Sequence, residues 1–428
     1  MLRRSLLTSA IAASLLTTFS LPAFATQVYE TDLVIIGGGL SGLAAAQSAV
    51  DQGAKPIVLE KEAALDVRVS AIVMVLQSGS KNLVNGGVDV VFLLITGADG
   101  EGEKVIVKAK KVIIATGGFE SNKEMLAKYV NDSSALGMFE PVWYRGPVTD
   151  GKNGDGRTGD GIQMAQLVGA GVKGMHTIAG NAPYLADLPP INQFMGADEL
   201  KQGRCALAQP WLWVDQHGKR FFNESRGAVF VDVYNAMTSA GGVMYNIIDQ
   251  QKYDQLVNKG ALLPFNAIVL AGVPLKALPK TFEIGQQRGW AFKADTIDDL
   301  AAQIGVPASN LKETMNKVNE YAKAGKDPEF GRLPEHLATF NMEKGPYYAL
   351  KGIRAFFLTL GGVTVNPKFQ ALNPQGDVID NLYVVGQDVG GLYDSSYDLR
   401  CEGSASSFAM TSGRLAADNA LADVKAGK

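Results

Sequence analysis

The feature that most restricts how this chain can fold is residues 32–61, DLVIIGGGLSGLAAAQSAVDQGAKPIVLEK. Two apolar runs enclose a Gly37-x-Gly39-x-x-Gly42 turn and an alanine-rich segment, which predicts a strand, a turn, a helix and a second strand. The first glycine suits the tight turn, the second lets a pyrophosphate approach the backbone, and the third lets the helix pack on the strand. Glu60, 18 residues beyond Gly42, ends the second strand, where a carboxylate can accept both ribose hydroxyls. The pattern predicts a dinucleotide site, and a glycine turn of structural use only is the weaker alternative.

Size and charge restrict the remaining possibilities. At 428 residues the chain is too long for one ordinary domain, so two domains or one domain with a large insertion is expected. A hydrophobic content of 46% suits a large α/β protein rather than a disordered chain. The net charge of -3 gives no electrostatic reason to expect a nucleic-acid partner.

Residues 1–25 have the pattern of a secretory signal peptide. Arg3 and Arg4 form the basic region, LLTSAIAASLLTTFSL the apolar core, and AFA ending at Ala25 the cleavage site. A transmembrane anchor is the weaker alternative because the apolar core is short and interrupted by Ser and Thr. We therefore expect a periplasmic protein cleaved after Ala25, with the general secretory and twin-arginine routes both open.

The cysteine and histidine content gives no metal or haem signature. Only two cysteines occur, Cys205 and Cys401, and no CxxCH motif for c-type haem is present. The three histidines are scattered, so no metal site is expected. Whether the two cysteines form a disulfide is left open.

Later segments alternate between two kinds of sequence. Residues 66–114 hold β-rich runs, and the strand KKVIIATGG ends in Gly117 and Gly118, which would bring another backbone turn near the nucleotide. In RTGDGIQMAQLVGAG, Asp160 either caps the helix that follows or reaches the cofactor from its start, and the two roles are compatible. From about Thr177 to Ala355 amphipathic helices dominate, which predicts a second domain inserted into the first.

Together the motifs resemble the flavoprotein family of fumarate reductase and succinate dehydrogenase. They are most similar to exported bacterial reductases of α,β-unsaturated acids, such as soluble fumarate and urocanate reductases. The matching stretches occur in the family's order: VIIGGGLSGLAAAQSA, KKVIIATGGFESN, TGDGIQMAQLVGAG, GKRFFNE, TLGGVTVN, NLYVVGQDVGG and LRCEGSASSFAMTSGRLA.

The resemblance implies an α/β protein with a Rossmann-like FAD-binding domain and an inserted, mobile α+β capping domain. It implies these boundaries: 1–25 signal peptide, 26–176 first part of the FAD-binding domain, 177–355 capping domain, 356–428 C-terminal part of the FAD-binding domain.

The resemblance also assigns residues to non-covalent FAD, since the family's attachment histidine has no evident counterpart. Gln387 stands where the family has a Glu on the ribityl chain, and an amide can still bond a hydroxyl. The last helix would present its free amides to the flavin N1/O2 edge. The expected FAD contacts are Gly37, Gly39, Ser41, Gly42, Glu60, Gly117, Asp160, Gln387, Ala405 and Ser406.

The same resemblance implies the catalytic residues. Arg400 stands three residues before a glycine and the last helix, where the family's Arg binds the substrate carboxylate through its bidentate guanidinium. A structural ion pair of Arg400 with Glu402 or Asp398 is the alternative. Arg226 is the candidate proton donor, although it follows the NE of the GKRFFNE motif more closely than in the family. It would need reprotonation through a neighbour such as Glu224, because a guanidinium is a poor acid. A surface role for Arg226 remains open, and Tyr234 and Tyr397 are further candidate donors.

Two departures from the family pattern affect the expected function. Glu60 and Ala115 are only 55 positions apart, so glycine- and serine-rich loops that hold FAD in the family are not recognisable in residues 61–114. The family's histidine pair before its TMGG motif is replaced by Phe357 and Leu358, and an apolar pair cannot hold a second carboxylate. We therefore expect a monocarboxylic enoate with an apolar or aromatic tail, bound against Phe357, Tyr397 and Arg400, rather than fumarate.

Three functions follow, in order of preference. The first is reduction of the C=C bond of an α,β-unsaturated carboxylic acid by hydride from flavin N5, with electrons from an external donor such as a periplasmic cytochrome c. The second is an FAD-dependent dehydrogenase running in the oxidative direction. The third is a flavin-poor, non-catalytic remnant that has lost part of the cofactor site.

Overall fold

The computed structural model describes residues 27–60, 71–76, 90–95, 104–120, 122–130, 157–180, 182–186, 195–265, 268–354, 356–393, 397 and 403–427, the strands at 71–76 and 90–95 by their backbone alone. The predicted signal peptide and Arg400 lie outside these ranges. The described strands are β1 Gln27–Ile36, β2 Ile57–Leu59, β3 Ala71–Leu76, β4 Val90–Ile95, β5 Lys104–Ile114, β6 Val172–Lys173, β7 Ile178–Gly180, β8 Tyr184–Leu185, β9 Leu212–Val214, β10 Val243–Asp249, β11 Ala291–Ala294, β12 Tyr347–Ile353, β13 Phe356–Thr359, β14 Gly362–Val363, β15 Gln370–Leu372 and β16 Val378–Val384. The described α-helices are α1 Leu40–Asp51, α2 Lys123–Tyr129, α3 Asp160–Leu167, α4 Ala197–Leu207, α5 Phe230–Ser239, α6 Gln250–Asp254, α7 Leu278–Arg288, α8 Ile297–Ile304, α9 Ala308–Ala324 and α10 Ser404–Lys425.

The first sheet has the order β15-β16-β5-β1-β2, with β16, β5, β1 and β2 parallel. These parallel strands are continuous apolar runs because both faces of the sheet are covered. Leu33–Ile36, Val112–Ile114 and Leu382–Val384 are completely buried. The predicted α/β fold class is therefore confirmed.

The segment that departs from the family pattern extends this sheet. Strands β3 and β4 pair antiparallel with each other, and β4 pairs antiparallel with the first half of β5. The second half of β5 pairs with β16. One edge of β5 thus pairs with β4 along its first half and with β16 along its second half.

Helices α1 and α10 pack against one another on the first sheet. The contact is made of small residues, with Ala45 and Ala49 buried beside Ala416 and Ala420. A Cβ on Gly413 would overlap the backbone carbonyl of Ser41, so only glycine permits this approach. Among the helices in the described ranges, the 22-residue α10 included, none has the length and hydropathy needed to cross a bilayer.

A second sheet, with the order β11-β12-β10-β9 and β8 beside β12, is antiparallel. All of its strands lie between residues 184 and 353, inside the range predicted for the capping domain. Large buried aromatic side chains, among them Trp213, Trp290 and Tyr347, fill the space between this sheet and its helices. The predicted domain boundaries and the mobility of the cap stay predictions.

Two short strand pairs hold the segment that leads into the second sheet beside the segment that leads out of it. Strand β7 pairs with β13, and β6 pairs with β14, both antiparallel. Residues 172–180 therefore lie beside residues 356–363, and the amide of Leu360 donates to the carbonyl of Thr177 at 2.9 Å.

A buried ion network holds the end of the GKRFFNE motif to the loop after α9. Arg220 contacts Glu224 at 2.6 Å and Asp327 at 2.7 Å, and all three side chains are almost completely buried. Arg332 lies 3.4 Å from Glu224 on the other side. Burial alone would raise the pKa of Asp327, but the hydrogen bonds and positive charge of Arg220 bring it well below its usual value.

We expect Glu224→Ala to lower the free energy of unfolding by about 3–5 kcal/mol, because it removes the carboxylate that pairs with two buried guanidinium groups, Arg220 and Arg332. The control is Asp298→Ala, which removes an exposed ion pair with Lys312 and should cost less than about 1 kcal/mol. Urea unfolding followed by tryptophan fluorescence measures both, since the amide of Trp213 donates to Glu224. Equal losses in the two variants would contradict the importance of the network.

Candidate functional site

Three glycine-containing turns meet at the carboxyl edge of the parallel strands. They are Gly37–Gly39 after β1, Thr116–Gly118 after β5 and Gly386–Asp388 after β16. Ligands of open α/β sheets bind in the crevice at this edge, where the loops leave the strands. This edge is the candidate functional site.

The glycines of the first turn have different surroundings. A Cβ on Gly37 would overlap the carbonyl of Ala115, and a Cβ on Gly42 would overlap the carbonyl of Gly37. A Cβ on Gly39, at the start of α1, would meet no protein atom within 4 Å. Gly37 and Gly42 are thus required by packing, whereas Gly39 leaves open space at the amino end of the helix.

Glu60 lies where the pattern predicts it, beside this turn. Its carboxylate accepts a hydrogen bond from the amide of Gly38, and the amide of Gly37 donates to the carbonyl of Leu59 at 2.8 Å. The acidic residue at the end of β2 is therefore fixed at the opening left by Gly39. Ser41, in the first turn of α1, is buried against the turn at Gly386. A Cβ on that glycine would crowd the Ser41 hydroxyl.

The turn after β5 is held by Asp388, a residue that the sequence analysis did not select. Asp388 accepts from the Thr116 hydroxyl at 2.8 Å and from the Gly117 amide at 2.6 Å. The Thr116 hydroxyl in turn accepts from the amide of Gly161 in the first turn of α3, at 2.9 Å. Gly117 has φ +91° and open space where a Cβ would stand, which again leaves room beside the backbone.

Asp160 begins helix α3 instead of capping it. The N-cap residue is Gly159, with φ 73°, so the predicted capping role of Asp160 is wrong by one position. The Asp160 carboxylate accepts from the Thr158 hydroxyl at 2.7 Å. Its place at the start of α3, near the turn after β5, leaves the predicted approach to the cofactor as a prediction.

Burial raises the pKa of Asp388 to about 7. Hydrogen bonds from Gly117 and Thr116 oppose the increase, and the negative charge of Asp160 adds to it. The Asp388 carboxyl group, which holds the turn after β5, therefore changes charge near neutral pH.

Gln387 is held by neighbours that the sequence analysis also missed. Its amide nitrogen donates to the carboxylate of Glu120 and, at 3.2 Å, to the carbonyl of Thr359. The Thr359 hydroxyl accepts from the amide of Phe119 at 3.0 Å. An acid directly after the ATGGF motif was the available sequence signal for Glu120.

Tyr397 lies at the amino end of α10. Gly403 precedes the helix with φ +81°, and the helix begins at Ser404. The Tyr397 phenol oxygen accepts from the Ser404 hydroxyl at 3.1 Å and from the Ala405 amide at 3.4 Å. The structure thus brings Tyr397 and Ala405 together, while Ser406 is exposed.

A small apolar cluster surrounds this helix start. Tyr393 packs edge-on against Tyr397, with the ring centroids 4.8 Å apart. Leu358 from β13, with Ala179 and Leu360, completes the cluster. The apolar character predicted from the loss of the histidine pair is thus present at Leu358. The backbone of Phe357 lies in β13, but its side chain is outside the described part of the chain.

The candidate proton donor Arg226 lies on the surface. It pairs with Asp232 of α5, and its side chain is 57% exposed. Glu224, the neighbour expected to reprotonate it, is bonded to Arg220 instead. Tyr234 of α5 packs its ring against Gly180 of β7, the short strand that pairs with β13. The catalytic roles of Arg226 and Arg400 stay predictions.

A family model described as FAD binding domain matches residues 32–76 and 67–403. The chain belongs to this FAD-binding flavoprotein family. Its dinucleotide is therefore FAD, as the resemblance implies.

The relatives include a vinyl phenol reductase of Lactiplantibacillus plantarum, 28% identical over 73% of this chain and 60% of that protein. A fumarate reductase (cytochrome) of Shewanella frigidimarina is 30% identical over 73% of this chain and 46% of its own length. The open conformation of a flavocytochrome c3 fumarate reductase has the same fold, with a TM-score of 0.58, 20% identity and coverage of 97% of this chain and 80% of that one. The chain thus spans less than two thirds of the length of the vinyl phenol reductase and of the fumarate reductase (cytochrome).

The residues at the carboxyl edge fit FAD. The open space at Gly39 and Gly117 suits close approach of a pyrophosphate to backbone, and the first turn of α1 offers amides without a side-chain cap. Glu60 lies where it would hold the ribose of the adenosine half. Hydride transfer is the chemistry that bound FAD supplies.

We expect Gly39→Ala to weaken FAD binding at least tenfold, about 1.4 kcal/mol, because the new methyl group would occupy the space of the pyrophosphate. The same change should cost the apoprotein at most about 1 kcal/mol, since the Cβ meets no protein atom. Fluorescence quenching of FAD and thermal unfolding measure the two effects. Gly42→Ala is the contrast, because its overlap with Gly37 should damage both stability and binding; unchanged FAD affinity in Gly39→Ala would contradict the site.

Asp388 makes a pH-dependent contribution to stability. Its pKa is raised from 3.8 to about 7, so the folded apoprotein binds this proton more tightly than the unfolded chain. The contribution is fully present below about pH 4 and is lost as the pH rises to about 7. Asp388→Asn keeps an oxygen that accepts from Gly117 and cannot ionise, so its loss of stability over this range should be smaller than that of the unaltered protein.

Urea unfolding of the apoprotein at several pH values between 4 and 7 measures this difference. Asp51→Asn, on the exposed end of α1, is the control and should follow the unaltered protein. Parallel curves for Asp388→Asn and the unaltered protein would show that Asp388 is ionised throughout.

Proposed function

We propose that this protein is an FAD-dependent oxidoreductase that reduces the C=C bond of an α,β-unsaturated carboxylic acid with an apolar or aromatic tail. The observation that carries the proposal is the cluster of Leu358, Leu360, Tyr393 and Tyr397 at the amino end of α10. A helix start beside an apolar wall suits a substrate with one anionic end and one apolar end. The relatives named as reductases support the same reaction class.

The chain's own residues would divide the work as follows. Arg400 binds the substrate carboxylate, as the resemblance implies. Leu358 and the two tyrosines exclude water from the reacting double bond. Tyr397, fixed by Ser404 and Ala405, holds a phenol proton at the helix start, and Arg226 is the competing donor.

A second candidate substrate is a phenol with a vinyl side chain, which has no carboxylate. The first relative described above is named for this type of reduction. The apolar cluster with its tyrosine pair favours an aromatic ring equally in either substrate. The two candidates differ in whether Arg400 is needed.

The remaining aspects of function rest on the sequence. The signal-peptide pattern of residues 1–25 supports a periplasmic location. Electrons would come from an external donor, such as a periplasmic cytochrome c. The reverse reaction, oxidation of a saturated substrate, uses the same site, and the potential of bound FAD decides the direction.

The first test is the absorption spectrum of the purified protein with and without added FAD. We expect flavin bands close to one FAD per chain. Bound flavin reduced by dithionite should then be reoxidised by cinnamate-type acids or by 4-vinylphenol, and much more slowly by fumarate. Absence of flavin from a folded protein in excess FAD would leave only the non-catalytic remnant.

Arg400→Ala separates the two substrate classes. For an enoate substrate we expect kcat/KM to fall at least a hundredfold, because the carboxylate loses its bidentate partner. For 4-vinylphenol the same change should have little effect. Arg414→Ala, on the exposed face of α10, is the control. A loss of the same size in Arg414→Ala, or none for any acid in Arg400→Ala, would reject the role of Arg400.

A further inference from the structure

Glu120 is a buried carboxylate without a role in the proposed reaction. It follows the turn after β5 and is only 4% exposed. One of its oxygens accepts from Gln387, from the amide of Thr359 at 3.3 Å and from Arg157 at 3.3 Å. The other oxygen is buried without a hydrogen-bond partner in the described part of the chain. A carboxylate in this position is costly, so its presence calls for a physical reason.

The cluster around Glu120 closes over a glycine. A Cβ on Gly118 would stand closer than 3.0 Å to the Thr359 hydroxyl, the Gln387 amide nitrogen and the Glu120 carboxylate. These three polar groups therefore converge on one point beside the backbone. Any larger residue at position 118 would separate them.

The contacts of Gln387 fix which way its amide faces. Its nitrogen has two hydrogens and donates to Glu120 and to the Thr359 carbonyl, which can only accept. The nitrogen must therefore face Glu120, and the amide oxygen must face away. The next residue, Asp388, fixes the backbone after Gln387 separately, because its carboxyl group accepts hydrogen bonds from Thr116 and Gly117.

We propose that Glu120 is a positioning residue that turns the Gln387 amide oxygen toward FAD, where it accepts hydrogen bonds from the ribityl hydroxyls. Family membership makes FAD the ligand, and this inference does not depend on which substrate is reduced. The family's Glu at position 387 is replaced here by a neutral amide, and the carboxylate lies one layer further from the cofactor. Arg157 compensates its charge there.

This arrangement has an electrostatic consequence. Burial raises the pKa of Glu120, and the charge of Arg157 with the hydrogen bonds from Gln387 and Thr359 opposes the increase. In its ionised form, Glu120 carries its negative charge away from the cofactor by the width of the Gln387 side chain. A neutral amide next to reduced flavin avoids repulsion between two anions.

The test is the dissociation constant for FAD, measured by fluorescence quenching on the full chain. Glu120→Ala and Gln387→Ala should each weaken binding about tenfold, and the double variant should be no weaker than either alone. Glu120→Gln keeps an acceptor for Gln387 and should bind within about threefold of the unaltered protein. Glu124→Ala, on the exposed side of α2, is the control.

ADP separates positioning of the ribityl chain from general damage to the site, because it shares only the adenosine half with FAD. We expect Glu120→Ala to leave ADP affinity unchanged, whereas Gly39→Ala should weaken ADP and FAD alike. Additive effects of Glu120→Ala and Gln387→Ala would overturn the proposal, as would equal losses for FAD and ADP. If Glu120→Ala does not fold, a tenfold loss in Glu120→Gln would show that charge, and not orientation of Gln387, is what the residue supplies.

Discussion

The backbone contact between the turns after β1 and β5 is the constraint on which the site depends. Gly37 lies directly against the carbonyl of Ala115, so the two turns approach more closely than any side chain would allow. Parallel pairing of β1 with β5 over most of their length holds the two strand ends at the same level. Asp388 then attaches the end of β16 to this pair through Thr116 and Gly117. Three strand ends are thus joined by close backbone packing and by the Asp388 carboxyl group, while Gly39 and Gly117 leave open space beside the backbone.

The two halves of the molecule handle buried charge in opposite ways. Near the second sheet, Arg220 and Arg332 neutralise Glu224 and Asp327, and the network joins the end of the GKRFFNE motif to the loop after α9. At the carboxyl edge of the first sheet, Asp388 receives hydrogen bonds from Thr116 and Gly117, and the negative charge of Asp160 adds to the increase of its pKa. The first arrangement favours rigidity, whereas the second keeps a carboxyl group able to change charge near neutral pH beside the glycine turns.

The sequence was sufficient to predict the parts whose signal is local. The glycine turn, the following helix and Glu60 are adjacent in sequence, and each has a specific steric or electrostatic reason, so their meeting was predictable. Glu120 and Asp388 were missed because their importance arises from contacts 267 and 271 residues away, with Gln387 and Gly117. The prediction of Arg226 rests on motif spacing alone, and spacing does not indicate that Asp232 pairs with it on the surface.

Strand β16, which pairs with the carboxyl half of β5, is synthesised near the end of translation. Thr116 and Asp388 are 272 residues apart, and the whole second sheet is synthesised between them. While the chain is being made, the carboxyl half of β5 has an unpaired edge, and the turn after it has no clamp. Such an edge favours pairing with other chains until β16 arrives. The turns at the carboxyl edge therefore come together only after the second sheet has been synthesised, so a ligand at this edge would be bound late in the maturation of the protein.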